Sequence, residues 1–504
     1  MKTSSPATEL SRTALLALVI SSMVGAGIYS LPSSFSKVTG VTGALIAWGI
    51  AGSGMLMLAL VFNNLAQRKP ELDSGIFAYA WAGFGNYAGF ISTLGFWGGC
   101  CVANVSFFVL IKSTLGLFFP IFGDGSTPFA VLTSSIILWS FHYMVLQGLR
   151  GASLLNTAVG IVKVTTLLVC VALMGSFLNA DVFLANLWNS TVVPIIHIDI
   201  NLVDKYGLVG IAAARMPEVA NVSLLSQVRS TMLITVFVFV GIEGASVFSR
   251  FAKNRRDVGF ATVTGFLAVW ALLVLITVLS YGIMPRAELA ELAQPSVAGV
   301  LERIDSTWGV LFVSFAVIVS VMGAFLSWLM LAAESLFSAA KSKIMPRFLT
   351  RENRNNVPVT ALWLSNIMTQ AFLIITIFTD YAFTLALELT SSLCLVPYLL
   401  VAAYALKLAW TGETYEPGDK KRKSDLAVSA IATAYALLML YSGGIDYLLL
   451  TSLFYFPCTL LFVKARREQG EAVFTLPEKM AFWAMGIAAV MALMLLMTGE
   501  INIL

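Results

Sequence analysis

Apolar stretches of about 20 residues recur along almost the whole chain, and this pattern limits its fold more than any other feature. Each stretch is long enough to cross the roughly 30 Å hydrocarbon core of a bilayer as an α-helix. Of the 504 residues, 58% are hydrophobic and 12% are charged, whereas soluble domains carry about 25% charged residues. The chain is therefore predicted to be an all-α integral membrane protein with about 12–13 transmembrane helices.

The transmembrane helices are predicted from the positions of these stretches. Residues 1–9 are polar, and the apolar stretch after them has no small-residue cleavage site. We therefore interpret it as the first span and not as a signal peptide. The predicted spans are 13–35, 42–66, 87–119, 129–149, 156–179, 229–251, 258–284, 308–340, 357–379, 381–406, 426–442, 445–464 and 480–498.

Basic residues are concentrated in alternate loops. Loops such as 122–128 and 443–446 are nearly free of Lys and Arg, so the positive-inside rule places the other set, and the N-terminus, in the cytoplasm. The long loops 180–228 and 285–307 fall on the outer side and are predicted to form ordered caps over the bundle. The basic set contains Arg68, Lys69, Arg150, Lys253, Arg255, Arg256, the segment 341–354, Lys420 to Lys423, and Lys464 to Arg467.

Several classes of function are disfavoured by composition. His142 and His197 are far apart, and the cysteines lie inside apolar stretches without metal-ligand spacing, so we predict no metal site and no cofactor. The net charge of +4 does not indicate a nucleic-acid partner, because the basic residues are concentrated in the loops on one side of the membrane. An enzyme is disfavoured because no nucleophile–base arrangement, phosphate loop or metal motif is present. The cysteines are Cys100, Cys101, Cys170, Cys394 and Cys458.

Two of the predicted spans are interrupted by glycines. The first span contains Gly25-Ala26-Gly27, and the sixth contains Gly241-Ile242-Glu243-Gly244. Each glycine costs about 1 kcal/mol in a helix interior. If spans 1–5 and 6–10 are two repeats, the interruptions occupy matching positions, and paired broken helices indicate the binding site of a transporter.

The chemistry of a broken helix favours a zwitterionic solute. A break at mid-membrane exposes backbone N–H and C=O groups that hydrocarbon cannot solvate. The carboxylate of an amino acid can bind the N-terminus of one half-helix, and its ammonium can bind the exposed carbonyls. Small residues also permit close helix packing, so one break alone would indicate packing, whereas two matched breaks favour a site.

Further motifs resemble those of a known family. They are Gly25-Ala26-Gly27-Ile28, Asp73-Ser74-Gly75-Ile76-Phe77-Ala78-Tyr79, Phe96-Trp97 with Asn104, Phe237-Val238-Phe239-Val240-Gly241-Ile242-Glu243, Gly323-Ala324-Phe325-Leu326-Ser327-Trp328 and Leu395-Val396-Pro397-Tyr398-Leu399. In these motifs the chain resembles the amino acid/polyamine/organocation superfamily, and within it the basic amino acid antiporters. Ala26 stands where the family usually has serine, and Phe237 replaces the tryptophan that closes over the substrate.

The resemblance implies a five-plus-five inverted repeat of the leucine-transporter type, with broken helices 1 and 6. Residues 1–406 would form the transporter core, with repeats at about 13–180 and 229–406. Residues 407–504 would form peripheral helices, which in the family often make a homodimer contact. The segment 73–79 would be a cytoplasmic gating loop.

Ionisable and aromatic residues inside the spans complete the predicted site, because intramembrane charges mark functional sites and aromatic faces attract cations. The resemblance implies that Glu243 senses protons and that Lys163 replaces a sodium ion. Glu334 or Glu388 would hold the distal cation of a basic side chain, or else pair with Lys163. The predicted substrate-binding residues are Met23, Gly25, Ala26, Gly27, Ile28, Phe96, Asn104, Phe237, Val240, Glu243, Trp328 and Glu388, and the predicted coupling or gating residues are Glu243, Lys163 and Glu334.

The favoured function is the exchange of arginine, lysine or ornithine for a related cationic amino acid or amine by alternating access. The expected partners are these solutes, protons and membrane lipid, and the expected location is the bacterial cytoplasmic membrane. A proton-coupled symporter shares nearly every feature and remains an alternative. An amino acid sensor without turnover is an alternative of a different class, and a channel is disfavoured because channels usually lack discontinuous midplane helices.

Overall fold

The computed structural model describes residues 11–72, 76–148, 150–187, 223–243, 255–305, 308–379 and 381–500, which are folded mostly into α-helices. The helices are α1 (Arg12–Met23), α2 (Gly27–Ser36), α3 (Val41–Arg68), α4 (Ile76–Phe84), α5 (Asn86–Gly116), α6 (Pro128–Leu146), α7 (Arg150–Ser176), α8 (Ala180–Ala185), α9 (Leu224–Phe239), α10 (Arg255–Ser280), α11 (Arg286–Glu291), α12 (Ser296–Ile304), α13 (Gly309–Lys341), α14 (Val359–Ile375), α15 (Ala382–Thr411), α16 (Lys421–Ser442), α17 (Gly444–Glu468) and α18 (Leu476–Thr498).

The described residues contain 11 helices long and apolar enough to cross a membrane, and α1 with α2 forms a further span that bends by 40°. The shorter apolar helix α9 corresponds to the first half of the predicted sixth span. The second half of that span, residues 244–251, lies outside the described residues. The prediction of an all-α membrane protein is thus confirmed, with 11 or 12 spans among the described residues compared with the 12–13 expected. The inverted repeat and the division at residue 406 stay predictions.

Local sequence signals fix several helix ends. The hydroxyl of Thr127 accepts a hydrogen bond from Ala130 N, and Pro128 occupies the first turn of α6, where its missing N–H costs nothing. A capping box between Thr475 and Glu478 begins α18. The carboxylate of Glu478 also accepts from Tyr87 N at 3.0 Å, which ties the start of α18 to the start of α5.

Helix α5 lies at the centre of the bundle and is enclosed by α4, α13, α14 and α15. The halves α1 and α2 both pack against α10, and α9 packs against α3 and α15. Helix α18 contacts chiefly α17 and is the most exposed of the spans, as expected for an added peripheral helix. The two broken regions are therefore brought together inside the bundle.

The two ends of the bundle differ in charge. At the basic end, Arg68 binds Asp425 in the first turns of α16 at 3.0 Å, and Lys69 binds Glu413 in the segment before α16 at 2.9 Å. Both ion pairs fix the end of α3 to this region. At the opposite end, α11 and α12 pack on α2, in agreement with the predicted cap over 285–307. Of the first outer loop, 180–228, the structure describes residues 180–187, which include α8, and residues 223–228, which include the start of α9. The cap predicted for this loop stays a prediction.

The predicted cytoplasmic gating segment 73–79 is only partly described, because residues 73–75 lie outside the described ranges. The remainder belongs to helix α4, which packs against α5 and α15. A loop was expected here, but Ile76 to Ala80 are buried apolar residues, and burying them against two central helices favours a helix.

Candidate functional site

The first span is broken between Met23, the last residue of α1, and Gly27, the first residue of α2. The residue before α2 is Ala26, and no side chain caps the first amides of this helix. Those amides carry the positive end of the helix dipole, which favours an anionic group. An alanine at this position cannot supply the hydroxyl that a serine would, so the helix N-terminus is the main anion-binding feature here.

The break in the first span contacts the end of α9. The hydroxyl of Ser22 donates to the carbonyl oxygen of Gly241 at 2.9 Å. Gly241 has φ = 110°, and a Cβ built there would lie 2.7 Å from Ser22 O. This close approach of two backbones requires glycine, both for the left-handed conformation and for the space.

A small cavity lies at this junction, with a volume of about 10 Å³, room for about one water molecule. The helices leave little space because Trp328 and Phe107 meet edge to face, with ring centroids 6.1 Å apart, and Trp328 Nε1 donates to Ser22 O at 3.3 Å. The cavity is thus closed down in this conformation. It is lined by Ser22, Met23, Gly25, Ala26, Gly27, Ala103, Phe107, Phe237, Val238, Val240, Trp328 and Thr390.

Seven of the twelve predicted substrate-binding residues line this cavity. They belong to the break in the first span, to the end of α9 and its following turn, and to α13, and these three regions are far apart in the sequence. The first two regions meet because α9 packs beside α2. Their roles in binding stay predictions. The seven residues are Met23, Gly25, Ala26, Gly27, Phe237, Val240 and Trp328.

The other five predicted residues are not part of the lining. Ile28 is buried next to Gly27, and Phe96 is buried about 10 Å nearer the basic end of α5 than Ala103. Asn104 directly follows the lining residue Ala103 and is fully buried. Neither its amide nitrogen nor its amide oxygen has a hydrogen-bond partner among the described residues. An amide left in this state is available to a solute that enters an enlarged cavity.

Glu243 does not line the cavity and lies in the turn that follows the end of α9. Its two carboxylate oxygens accept from Gly241 N at 3.1 and 3.2 Å. The hydroxyl of Tyr398, on α15, donates to the same carboxylate at 2.6 Å. Glu243 therefore connects α9 to α15 through hydrogen bonds in the bundle interior.

The remaining ionisable residues are separated from one another. Lys163 is fully buried and donates to Ser21 O at 3.1 Å, at the end of α1. Glu334 accepts from its helical neighbour Ser338 at 3.2 Å. Within the described residues the ion pairs do not include one between Lys163 and Glu334 or Glu388, and the roles predicted for these residues stay predictions.

Glu388 and Thr390 lie on different sides of α15, and only Thr390 faces the cavity. The carboxyl group of Glu388 lies close to Tyr447 of α17, on the side of α15 that faces away from the cavity. Thr390, two residues later, points about 200° away around the helix and lines the cavity. Its hydroxyl oxygen has no hydrogen-bond partner in the described part of the chain.

Five cavity residues were not predicted from the sequence, namely Ser22, Ala103, Phe107, Val238 and Thr390. Two of them could have been predicted from the position of Asn104. Ala103 and Phe107 lie on the same side of α5 as Asn104, because residues three or four apart share a helix face. Among the described residues there is no group of three or more His, Cys, Asp or Glu that could hold a metal ion.

Comparisons with known proteins place the chain in a family. The family model described as amino acid permease matches residues 10–445. The chain is 45% identical to an arginine/ornithine antiporter of Pseudomonas aeruginosa over 95% of each chain. It is 34% identical to an arginine/ornithine antiporter of Latilactobacillus sakei over 99% of each, and 31% identical to an arginine/agmatine antiporter of Chlamydia pneumoniae over 98% of each. Both the family match and these similarities span most of the chain, and they confirm the resemblance that was inferred from the motifs. The chain therefore belongs to the amino acid permease family of the amino acid/polyamine/organocation superfamily.

Proposed function

We propose that this multi-pass membrane protein exchanges a basic amino acid (arginine, lysine or ornithine) for a related cationic amino acid or amine. The observation that carries the proposal is the meeting of the two broken regions at one small, mostly apolar cavity. The names of the relatives, two arginine/ornithine antiporters and one arginine/agmatine antiporter, support this substrate class. Membership of a permease family supports transport without covalent chemistry.

The backbone at the cavity suits the α-carbon end of an amino acid. The uncapped N-terminus of α2 at Gly27 is suited to the carboxylate. The C-terminal end of α9, at Phe239, carries the negative end of its dipole and is suited to the ammonium group. Each half-helix thus offers the complementary charge without a buried charged side chain.

The side-chain end of the substrate has an aromatic and polar environment. A guanidinium or ammonium group can stack on Trp328, Phe107 or Phe237, and a desolvated cation–π contact is worth about 2 kcal/mol. The unpartnered amide of Asn104 and hydroxyl of Thr390 can accept hydrogen bonds from the same group. A cationic side chain therefore fits better than an acidic one, which would require additional Lys or Arg.

The small volume of the cavity supports a mechanism of alternating access. A volume of about 10 Å³ cannot hold an amino acid, so the halves 13–180 and 229–406 must move apart on one side at a time. Glu243 and Lys163 hold the two breaks and are therefore the proposed coupling residues, with Glu334 on the path toward the basic end. The basic end would face the cytoplasm of a bacterium, with the N-terminus inside.

The test of this function is arginine uptake into liposomes that contain the purified protein. The liposomes are preloaded with ornithine, lysine, agmatine or buffer alone, and labelled arginine is added outside. Uptake that requires an internal counter-substrate supports exchange and identifies the pair. Uptake into empty liposomes driven by a proton gradient supports the symporter, and no uptake of any basic amino acid contradicts the proposal and favours the sensor.

Replacing Trp328 by alanine is expected to raise the KM for arginine by about tenfold or more, because the largest aromatic surface of the cavity is removed. The measurement is the initial exchange rate as a function of external arginine. Trp483→Ala is the matched control, since Trp483 is exposed on peripheral helix α18 and should leave the KM unchanged. An equal KM in wild type and Trp328→Ala would place the substrate elsewhere.

A further inference from the structure

A second and much larger cavity opens at the end of the bundle opposite the basic loops. Its volume is about 730 Å³, within the range of about 300–1,000 Å³ that is usual for small-molecule sites. We call this cavity the outer vestibule. It is lined by Lys37, Val109, Ser113, Gly116, Leu117, Gly123, Asp124, Glu291, Leu292, Ala293, Gln294, Tyr381, Ala382, Phe383 and Thr384.

The outer vestibule lies directly outward of the central cavity along the same helices. On α5 the lining of the central cavity ends at Phe107 and that of the vestibule begins at Val109, about 3 Å farther along the helix. On α15 the corresponding residues are Thr390 and Thr384, about 9 Å apart along the helix. A solute that enters from this end therefore meets the vestibule before it reaches the central cavity.

The charges in the outer vestibule are of mixed sign and are not neutralised by one another. Lys37 follows α2, Asp124 lies in the turn after α5, and Glu291 ends α11. Among the described residues the side chains of Lys37 and Glu291 have no ion-pair partner. The carboxylate of Asp124 accepts hydrogen bonds from Ser126, at 3.0 Å from N and 2.6 Å from Oγ. Lys112 lies near Asp124 but is buried and is not part of the vestibule lining. The ring of Tyr381, which is 77% exposed, lines the same space.

We propose that the outer vestibule is a separate binding site for dibasic amino acids, in which Lys37 pairs with the α-carboxylate and Asp124 and Glu291 pair with the cationic groups. The substrate class rests on the proposed function. An amino acid with two cations and one carboxylate matches two acids and one base in number and sign. The site concentrates the external substrate and delivers it to the central cavity, so it acts on one face of the membrane only.

The test measures the KM for arginine on each face of the membrane. Exchange of labelled arginine for ornithine is measured in right-side-out and in inside-out membrane vesicles, for wild type and for a double variant with Asp124→Asn and Glu291→Gln. In right-side-out vesicles the KM of the double variant should be about fivefold higher, since partly exposed ion pairs are individually weak, and added salt should raise the wild-type KM more than that of the variant. In inside-out vesicles the two proteins should have the same KM.

Two further variants sharpen the result. Lys37→Gln should raise the external KM for arginine but not for agmatine, which has no carboxylate, whereas the acid variant should raise both. Asp181→Asn, an exposed acid on the same face but outside the vestibule, should change neither. The proposal is overturned if the KM rises equally on both faces, if the external KM of the double variant equals that of wild type, or if Asp181→Asn has the same effect.

A binding measurement separates this proposal from the transport function. Labelled arginine is bound to the purified full-length protein in detergent and measured by scintillation proximity. Trp328→Ala should leave a weak component of binding, and adding Asp124→Asn and Glu291→Gln should abolish it. Complete loss of binding in Trp328→Ala alone would exclude the vestibule site. Residual binding in a protein that does not exchange would support the vestibule and contradict only the proposed transport.

Discussion

Replacing Gly241 by alanine is expected to reduce arginine exchange by about a hundredfold, the largest effect of any single substitution in the protein. The residue has φ = 110°, and a Cβ would lie 2.7 Å from Ser22 O and 3.1 Å from Met23 N. The left-handed conformation and the forced separation of the two breaks together cost about 3 kcal/mol, equivalent to about a hundredfold loss of the closed state. The measurement is the initial rate of arginine/ornithine exchange in liposomes.

The control for this substitution is Gly175→Ala in α7, where a Cβ would meet no atom within 4 Å. Its exchange rate should equal that of wild type or exceed it slightly, because alanine favours the helix by about 1 kcal/mol. Size-exclusion chromatography of both variants in detergent separates a transport defect from a failure to fold. A folded Gly241→Ala protein with the wild-type rate would show that contact between the two breaks is not needed for exchange.

Replacing Glu243 by alanine is expected to reduce exchange nearly as strongly and to remove its dependence on pH, while the protein still folds. The change leaves Gly241 N–H and the hydroxyl of Tyr398 without their acceptor, at a cost of about 1–3 kcal/mol for each buried donor. It also removes the proposed proton-binding group. The measurement is the exchange rate between pH 5 and 8, at the same protein content per liposome.

Tyr398→Phe provides a graded comparison, since it removes one hydrogen bond to Glu243 and keeps the carboxylate. Its exchange rate should fall less than that of Glu243→Ala, and its pH dependence should persist with a shifted midpoint. The double variant should be no slower than Glu243→Ala, because the two residues act through one shared contact. A Glu243→Ala protein with the wild-type pH profile would rule out the coupling role of this residue.

The positions of the spans were predictable because the bilayer imposes a length and a composition on each of them. Helix α5 was predicted at 87–119 and lies at Asn86–Gly116, and α13 was predicted at 308–340 and lies at Gly309–Lys341. The break at Gly25-Ala26-Gly27 was also predictable, since glycines weaken a helix by a known amount. The helix α4 was not predicted, because nine residues are too few to produce a transmembrane signal.

The membership of the cavity was only partly predictable. The glycine breaks and Trp328 have distinctive motifs, and the structure brings them together. The inner face of an entirely apolar span has no such signal, because lipid and protein interior select the same side chains. Glu388 was therefore chosen over Thr390 for its charge alone, and the packing of α15 against α17 turns that charge away from the cavity.

The closed centre of the bundle limits the leak of ions across the cell membrane. A potential of 100 mV acts on each crossing elementary charge with about 2.3 kcal/mol, so a water-filled carrier would act as a continuous electrical leak. Here the indole of Trp328 donates to Ser22 O, and the hydroxyl of Ser22 donates to Gly241 O, so the centre of the bundle is closed by direct hydrogen bonds. A carrier closed by such contacts offers ions no continuous water-filled path, and a cell can keep many copies of it without dissipating its ion gradients.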